Sequence, residues 1–172
     1  LQGDVGSGKT IIAIASLLLV IEKNLQGAFM VPTEVLAEQH YKNLLKYLNP
    51  LLVSVELLTG NTPQKKRKEI FSNLNNGLVD ILVGTHALFE DKVIFNALGM
   101  VVIDEQHRFG VTQRNRLLNK GENTNLLSMT ATPIPRTLAL SIYGDLDVSQ
   151  ITELPPGRVP ITTKIISEDD LT

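Results

Sequence analysis

The chain has no cysteine, which excludes a disulfide framework and any thiolate metal site and fits a reducing cytoplasm. It also has no excess of basic charge: the formal net charge is -2 and the pI is near 5.9. That balance excludes a domain that holds a polyanion by bulk electrostatics, so any nucleic-acid contact has to be confined to one face. Long hydrophobic runs are missing too. The apolar stretch Ile11 to Ile21 is shorter than the ~20 residues of a membrane span and is flanked by Lys9, Glu22 and Lys23. It reads as a buried helix, with no membrane partner. Internal repeats and low-complexity tracts are absent. The first residues carry no basic segment, apolar segment or small-residue cleavage site of a secretory signal. They fall inside a motif, so the visible start is expected not to be the biological one.

What is present is the composition of a soluble globular protein, with 172 residues, 43% hydrophobic and 20% charged, enough for one domain with a substantial core. Apolar β-rich runs recur at Ala28 to Val31, Val53 to Leu58, Asp80 to Val83, Met100 to Ile103 and Leu126 to Met129. Most are continuous rather than alternating, as in strands buried on both faces. Between them the apolar periodicity predicts helices over Lys9 to Lys23, Glu34 to Leu48, Pro63 to Asn75, Thr112 to Asn119 and Pro135 to Tyr143. Alternation of this kind implies an α/β fold, a mostly parallel sheet with right-handed crossovers and helices on both faces. Thr62 before Pro63 suits an N-cap with proline at the first helical position, and Asn76-Gly77 suits a helix exit.

The stretch GDVGSGKT, from Gly3 through Asp4, Val5, Gly6, Ser7, Gly8 and Lys9 to Thr10, matches G-x-x-x-x-G-K-[ST]. Its glycines let successive N–H groups point into one concavity, and the helix beginning near Lys9 adds its positive end. Lys9 is placed to reach the β- and γ-phosphates of ATP, and the Thr10 hydroxyl to ligate Mg²⁺. A second motif, MVVIDEQH, ends an apolar strand on Asp104 and Glu105. A carboxylate there shares the sheet edge of the phosphate loop, so Asp104 suits the Mg²⁺ shell and Glu105 suits a base for the attacking water. A metabolic P-loop kinase has little use for the second acid. It stays open as an alternative, as does a non-catalytic P-loop module.

With GDVGSGKT, DEQH and SMTATPIPRTLAL in this order, the chain resembles the first RecA-like motor domain of superfamily 2 DNA helicases and translocases. Within them DEQHRFG, PTEVLAEQH, GTHALF and ELPPGR resemble the RecG family, ATP-dependent helicases that remodel stalled forks and Holliday junctions in recombination and repair. The transcription-repair coupling factor family, Mfd, is the next resemblance. It usually carries DEEH, so Gln106 favours RecG.

The resemblance implies a coupling motif at Thr130, Ala131 and Thr132, whose hydroxyls meet Gln106 or His107. It implies DNA contacts at Pro32 and Thr33, at Thr59 and Gly60, and at Gly84, Thr85 and His86. These residues offer N–H and O–H groups to phosphates without reading sequence. KKRK at Lys65 to Lys68 reads as the solvated face of a helix that buries Ile70, Phe71 and Leu74. Arg108 is a candidate brace for the acidic loop, and Arg136 has no role that the sequence assigns.

Residues 1–154 are expected to be the ATP-binding domain, cut at its first strand, 155–160 an interdomain linker rich in proline, and 161–172 the start of a second RecA-like domain. The implied partners are branched double-stranded DNA through the full-length protein, that second domain in cis, and single-strand DNA-binding protein. Because the family completes its hydrolysis site from the second domain, these residues alone are expected to bind nucleotide weakly and turn it over poorly.

Overall fold

The structure is a computed structural model that describes residues 1–105, 108–132 and 147–153. Gln106, His107, Arg136, the helix expected at Pro135 to Tyr143, the linker and the start of a second domain lie outside the described residues. The described chain runs β1 (Gln2–Gly3), α1 (Lys9–Ile21), β2 (Gln26–Met30), α2 (Glu34–Leu48), β3 (Val55–Leu58), α3 (Gln64–Asn75), β4 (Ile81–Gly84), β5 (Leu98–Ile103), α4 (Val111–Leu118), β6 (Asn125–Ser128) and β7 (Gln150–Ile151). Single 3-10 turns occupy Asn49–Leu51 and His86–Phe89. Among the described residues no helix is long and apolar enough to cross a membrane.

Five strands form a parallel sheet in the order β3-β4-β2-β5-β6. β2, β4 and β5 are buried along their whole length, which explains why they read as continuous apolar runs. Period-2 alternation then divides the core. Phe29, Val31, Val83 and Val102 face α1 and α2, while Ala28, Met30, Leu82 and Ile103 face α3 and α4. Each large side chain removed from water in these two layers contributes about 1.5–3 kcal/mol.

The two-residue β1 has no pattern a sequence could reveal, yet it is held on both sides. It pairs with β7, and Gln2 bridges Thr130 just past β6. Thr130 N–H donates to Leu1 O at 3.2 Å, and Gly3 N–H to Thr130 O at 3.3 Å. The strand that aims the phosphate loop thus lies between the end of β6 and β7.

Three local expectations need correction. α1 is not buried all round: Ala13, Ile14 and Leu17 pack on the sheet, but Ile11, Ile12 and Leu19 are exposed because only one face meets β2 and β5. α3 starts at Gln64 with Pro63 as its cap, and the Thr62 hydroxyl instead accepts from Thr59 N–H at 2.9 Å. The third correction concerns KKRK. Lys65 and Lys68 are exposed, but Arg67 is folded inward. The exit of α3 is as expected, with Gly77 at φ 72° and Leu78 N–H donating to Asn73 O at 2.8 Å.

Candidate nucleotide site and nucleic-acid cleft

The C-terminal ends of the parallel strands share one edge, and both candidate sites are built on it. From β1 the chain passes into a loop with Gly6 at φ 81° and Gly8 at φ 96°, backbone that favours glycine. Ser7 N–H donates to Asp4 O at 3.1 Å, and Val5 N–H to Asp4 Oδ1 at 2.7 Å, which holds the loop's curve. Gly8 caps α1 without any side-chain bond, and among the described residues nothing lies within 4 Å of where its Cβ would be. The Gly8 end of α1 is therefore open among the described residues, as an anion cradle at a helix N-terminus needs to be. Ser7 Oγ is buried with no hydrogen-bond partner among the described residues. Lys9 Nζ donates to Gly3 O at 2.7 Å and Asp4 O at 2.8 Å.

Asp104 extends β5 by donating its N–H to Met30 O at 3.0 Å. Its Oδ1 accepts from Glu105 N–H at 3.0 Å, and its Oδ2 lies 3.0 Å from His40 Nε2. Glu105 is in the left-handed region at φ 51°, a conformation a non-glycine residue holds only where its surroundings enforce it. Here Arg108 N–H donates to Glu105 O at 2.9 Å. The Arg108 contact to the acidic loop is thus through its backbone, and its side chain is exposed.

Thr130, Ala131 and Thr132 follow β6, the strand between β5 and β1, and so lie between the acidic pair and the phosphate loop. Thr130 Oγ1 and Thr132 Oγ1 are 2.8 Å apart, and Thr132 N–H donates to Thr130 Oγ1 at 3.1 Å. Ala131 lines a cavity with Gln2, Gly3, Asp4 and β7.

On the other side of β2, a cleft of about 520 Å³ is lined by Pro32, Thr33, Glu34, Gly60, Thr85, His86, Ala87 and Glu90. Thr33 caps α2, its hydroxyl accepting from Leu36 N–H at 3.4 Å. Five of the seven sequence-named contact residues are brought together here. The other two, Thr59 and Gly84, are buried behind the cleft. Gly84 is required there because a Cβ would run into the Leu58 backbone oxygen and Leu88 Cδ1.

The cleft's carboxylates are occupied. Glu34 accepts from Asn61 N–H at 3.2 Å, and Glu90 accepts from Arg67 through both its oxygens at 2.9 to 3.1 Å. Arg67 Nη2 also donates to Thr59 O at 3.2 Å, tying the β3 end to the β4 end. Beside it Lys66 is held above its ordinary range, first by its bond to Glu56 at 2.9 Å. The Tyr41 hydroxyl is pushed up by burial and then by Glu56.

A family profile described as DEAD/DEAH box helicase matches residues 1–140. The chain belongs to the DEAD/DEAH box helicase family. Among curated relatives of this helicase domain, the ATP-dependent DNA helicase RecG of Synechocystis sp. is 59% identical over 96% of this chain and 20% of the relative. RecG of Aquifex aeolicus is 56% identical over 98% of this chain and 22% of the relative, and that of Bacillus subtilis 54% over 99% and 25%. The chain thus spans about a fifth to a quarter of the length of the curated relatives it matches. Among solved structures, RecG bound to a three-way DNA junction superposes with a TM-score of 0.79 at 48% identity, over 94% of this chain and 21% of that one. The DUF1998 helicase MrfA, at 20% identity with a TM-score of 0.67 over 83% of this chain and 26% of that one, shares the fold.

Sequence reasoning named the loop, the acids and the cleft but missed three residues. His40 closes the quoted stretch PTEVLAEQH, and its spacing from Ala37 and Leu44 marks it as facing inward. Arg67 was hidden in a run of like charges. Phe109, of DEQHRFG, is buried with its ring 5.7 Å from that of the cleft residue His86, a contact no local pattern signals.

Proposed function

We propose that these residues are the ATP-binding motor domain of a RecG-like DNA helicase, which uses ATP hydrolysis to remodel branched DNA at forks and junctions. The observation that carries this reading is the common edge: the phosphate loop, the acidic pair and a cleft without a free carboxylate open on the same ends of neighbouring strands. A kinase would use that edge for a small acceptor, and the DNA-junction relative at 48% identity favours the motor.

The donor set fits a magnesium nucleotide. The orphaned Ser7 Oγ and the open Gly8 suit a phosphate, and the Thr10 hydroxyl and Asp104 carboxylate are oxygen donors suited to Mg²⁺. When bound, the cation neutralises charge on the β- and γ-phosphates. Lys9 exchanges the carbonyls of Gly3 and Asp4 for phosphate oxygens. The N–H groups of Gly6, Gly8, Lys9 and Thr10 would hold the β-phosphate, and Glu105 would orient the attacking water and accept its proton. Thr130 and Thr132, between the two motifs, transmit the change, together with Gln106 and His107.

DNA phosphates are met at the cleft by the first turn of α2, by Gly60 and by Thr85 and His86, positioned from behind by Thr59 and Gly84. Few uncharged donors allow a strand to be held and released each cycle with little ion release. Residues 1–154 form this domain, 155–160 link it onward, and 161–172 begin a second RecA-like domain that completes the hydrolysis site. Single-strand DNA-binding protein is a further partner of the whole protein, which acts in the cytoplasm.

The test is DNA-stimulated ATP hydrolysis by the full-length protein. Glu105→Gln should keep nucleotide binding and lose turnover, whereas turnover at the wild-type rate in that variant would refute the assignment of the base.

A further inference from the structure

His40 lies in the second turn of α2, the helix whose first turn lines the cleft. The residue is 7% exposed, and its ring packs against Phe29 with 4.7 Å between centroids. Its Nε2 is 3.0 Å from Asp104 Oδ2. An ionised carboxylate can only accept, so the proton of this bond is on Nε2. Nδ1 is buried with no hydrogen-bond partner among the described residues. A residue needed only to fill this space would not be an imidazole, because an apolar side chain would avoid burying an unpaired nitrogen. The polar atom that is paired is the one on Asp104.

Asp104 is thereby held at both oxygens, from α2 at Oδ2 and from the Glu105 backbone at Oδ1. A donor on each oxygen fixes the carboxylate plane and hence the direction of its remaining lone pairs. We propose that His40 is a positioning residue that couples the DNA-facing helix α2 to the magnesium-holding carboxylate of Asp104. The proposal rests on the motor reading above. A displacement of α2 by about 1 Å, as a strand is gripped or released at its first turn, takes a bond of this length beyond hydrogen-bonding range. DNA engagement is then felt directly at the metal-binding carboxylate. The ring of Phe109 against His86 provides a second, apolar contact between the cleft and the same acidic loop.

The experiment uses the full-length protein with His40→Leu and His40→Gln. One readout is electron paramagnetic resonance of Mn²⁺ bound with a non-hydrolysable ATP analogue, without DNA. The other is the Mg²⁺ dependence of ATP turnover at saturating fork DNA. Loss of a group that orients a metal ligand typically weakens metal affinity about 10–100-fold, so His40→Leu should weaken Mn²⁺ binding by about 10-fold or more and raise the Mg²⁺ requirement in parallel. His40→Gln keeps an Nε2 donor and should recover most of both.

Wild-type metal responses in His40→Leu would overturn the proposal. So would equal impairment of both variants, which would mean that ring packing alone matters. A parallel Lys9→Ala variant separates the two levels. Turnover retained by Lys9→Ala overturns the motor reading and the coupling together, whereas turnover lost in Lys9→Ala with Mn²⁺ affinity unmoved in His40→Leu overturns the coupling alone.

Discussion

Lys9 Nζ lies 2.7 Å from the carbonyl oxygen of Gly3, so the phosphate loop's own backbone accepts the charge that the motif assigns to a phosphate. Nucleotide has to displace this contact and the one to Asp4 O, both made by a partly exposed ammonium whose net contribution to stability solvent screening keeps small. Because the lysine is half-exposed, Lys9→Ala should leave the melting temperature of the nucleotide-free full-length protein close to wild type. It should abolish the rise in melting temperature that magnesium and an ATP analogue produce. Thermal denaturation with and without the analogue checks both halves.

Arg67 holds Glu90 and the Thr59 carbonyl across the back of the cleft. Its loss frees a carboxylate into the groove proposed to meet DNA phosphates. Arg67→Met should cost about 1–3 kcal/mol of stability and weaken fork DNA binding. Lys65→Ala and Lys68→Ala, at exposed positions, should stay within about 0.5 kcal/mol of wild type. Urea denaturation and a DNA-binding titration on the same proteins distinguish the inward charge from its outward neighbours.

Gln26 is a buried amide with every polar atom used. Its Nε2 donates to Leu74 O at 2.9 Å and Val79 O at 2.7 Å, and its Oε1 accepts from Ala97 N–H at 3.0 Å. It pins the end of α3 and the approach to β4 and β5 in one place. Gln26→Leu keeps the volume and strands these partners, so it should destabilise by about 3 kcal/mol. A denaturant midpoint unchanged from wild type would contradict this account of the core.

Gly84 pairs with Leu58 where β3 and β4 deliver their loops to the cleft. Since an added Cβ meets fixed backbone, Gly84→Ala should cost about 2–3 kcal/mol. At Gly60 the Cβ would meet only the Glu34 Oε1 at 3.1 Å, the end of a flexible side chain. Gly60→Ala should therefore be milder in the same denaturation series.

Continuous apolar runs identify β2 through β6 to within two residues, and for β2, β4 and β5 the cause is burial on both faces, which leaves that signature directly in the chain. The loop and acid pair were legible because their chemistry requires fixed residue types at fixed spacing. β1 and β7 were not, since a two-residue strand has no period. The His40 to Asp104 bond spans 64 positions, and nothing local distinguishes a histidine turned toward a carboxylate from one that merely fills space. The like charges around Arg67 mark it as solvated, and only its tertiary partner Glu90 decides otherwise.

The central claim, that this domain drives ATP-dependent remodelling of branched DNA, is tested most directly by following strand rearrangement in a labelled fork with the full-length protein. The account predicts ATP-dependent rearrangement in the wild type and none in Lys9→Ala. Absence of rearrangement by the wild type with ATP and magnesium, or rearrangement by Lys9→Ala at the wild-type rate, would contradict it.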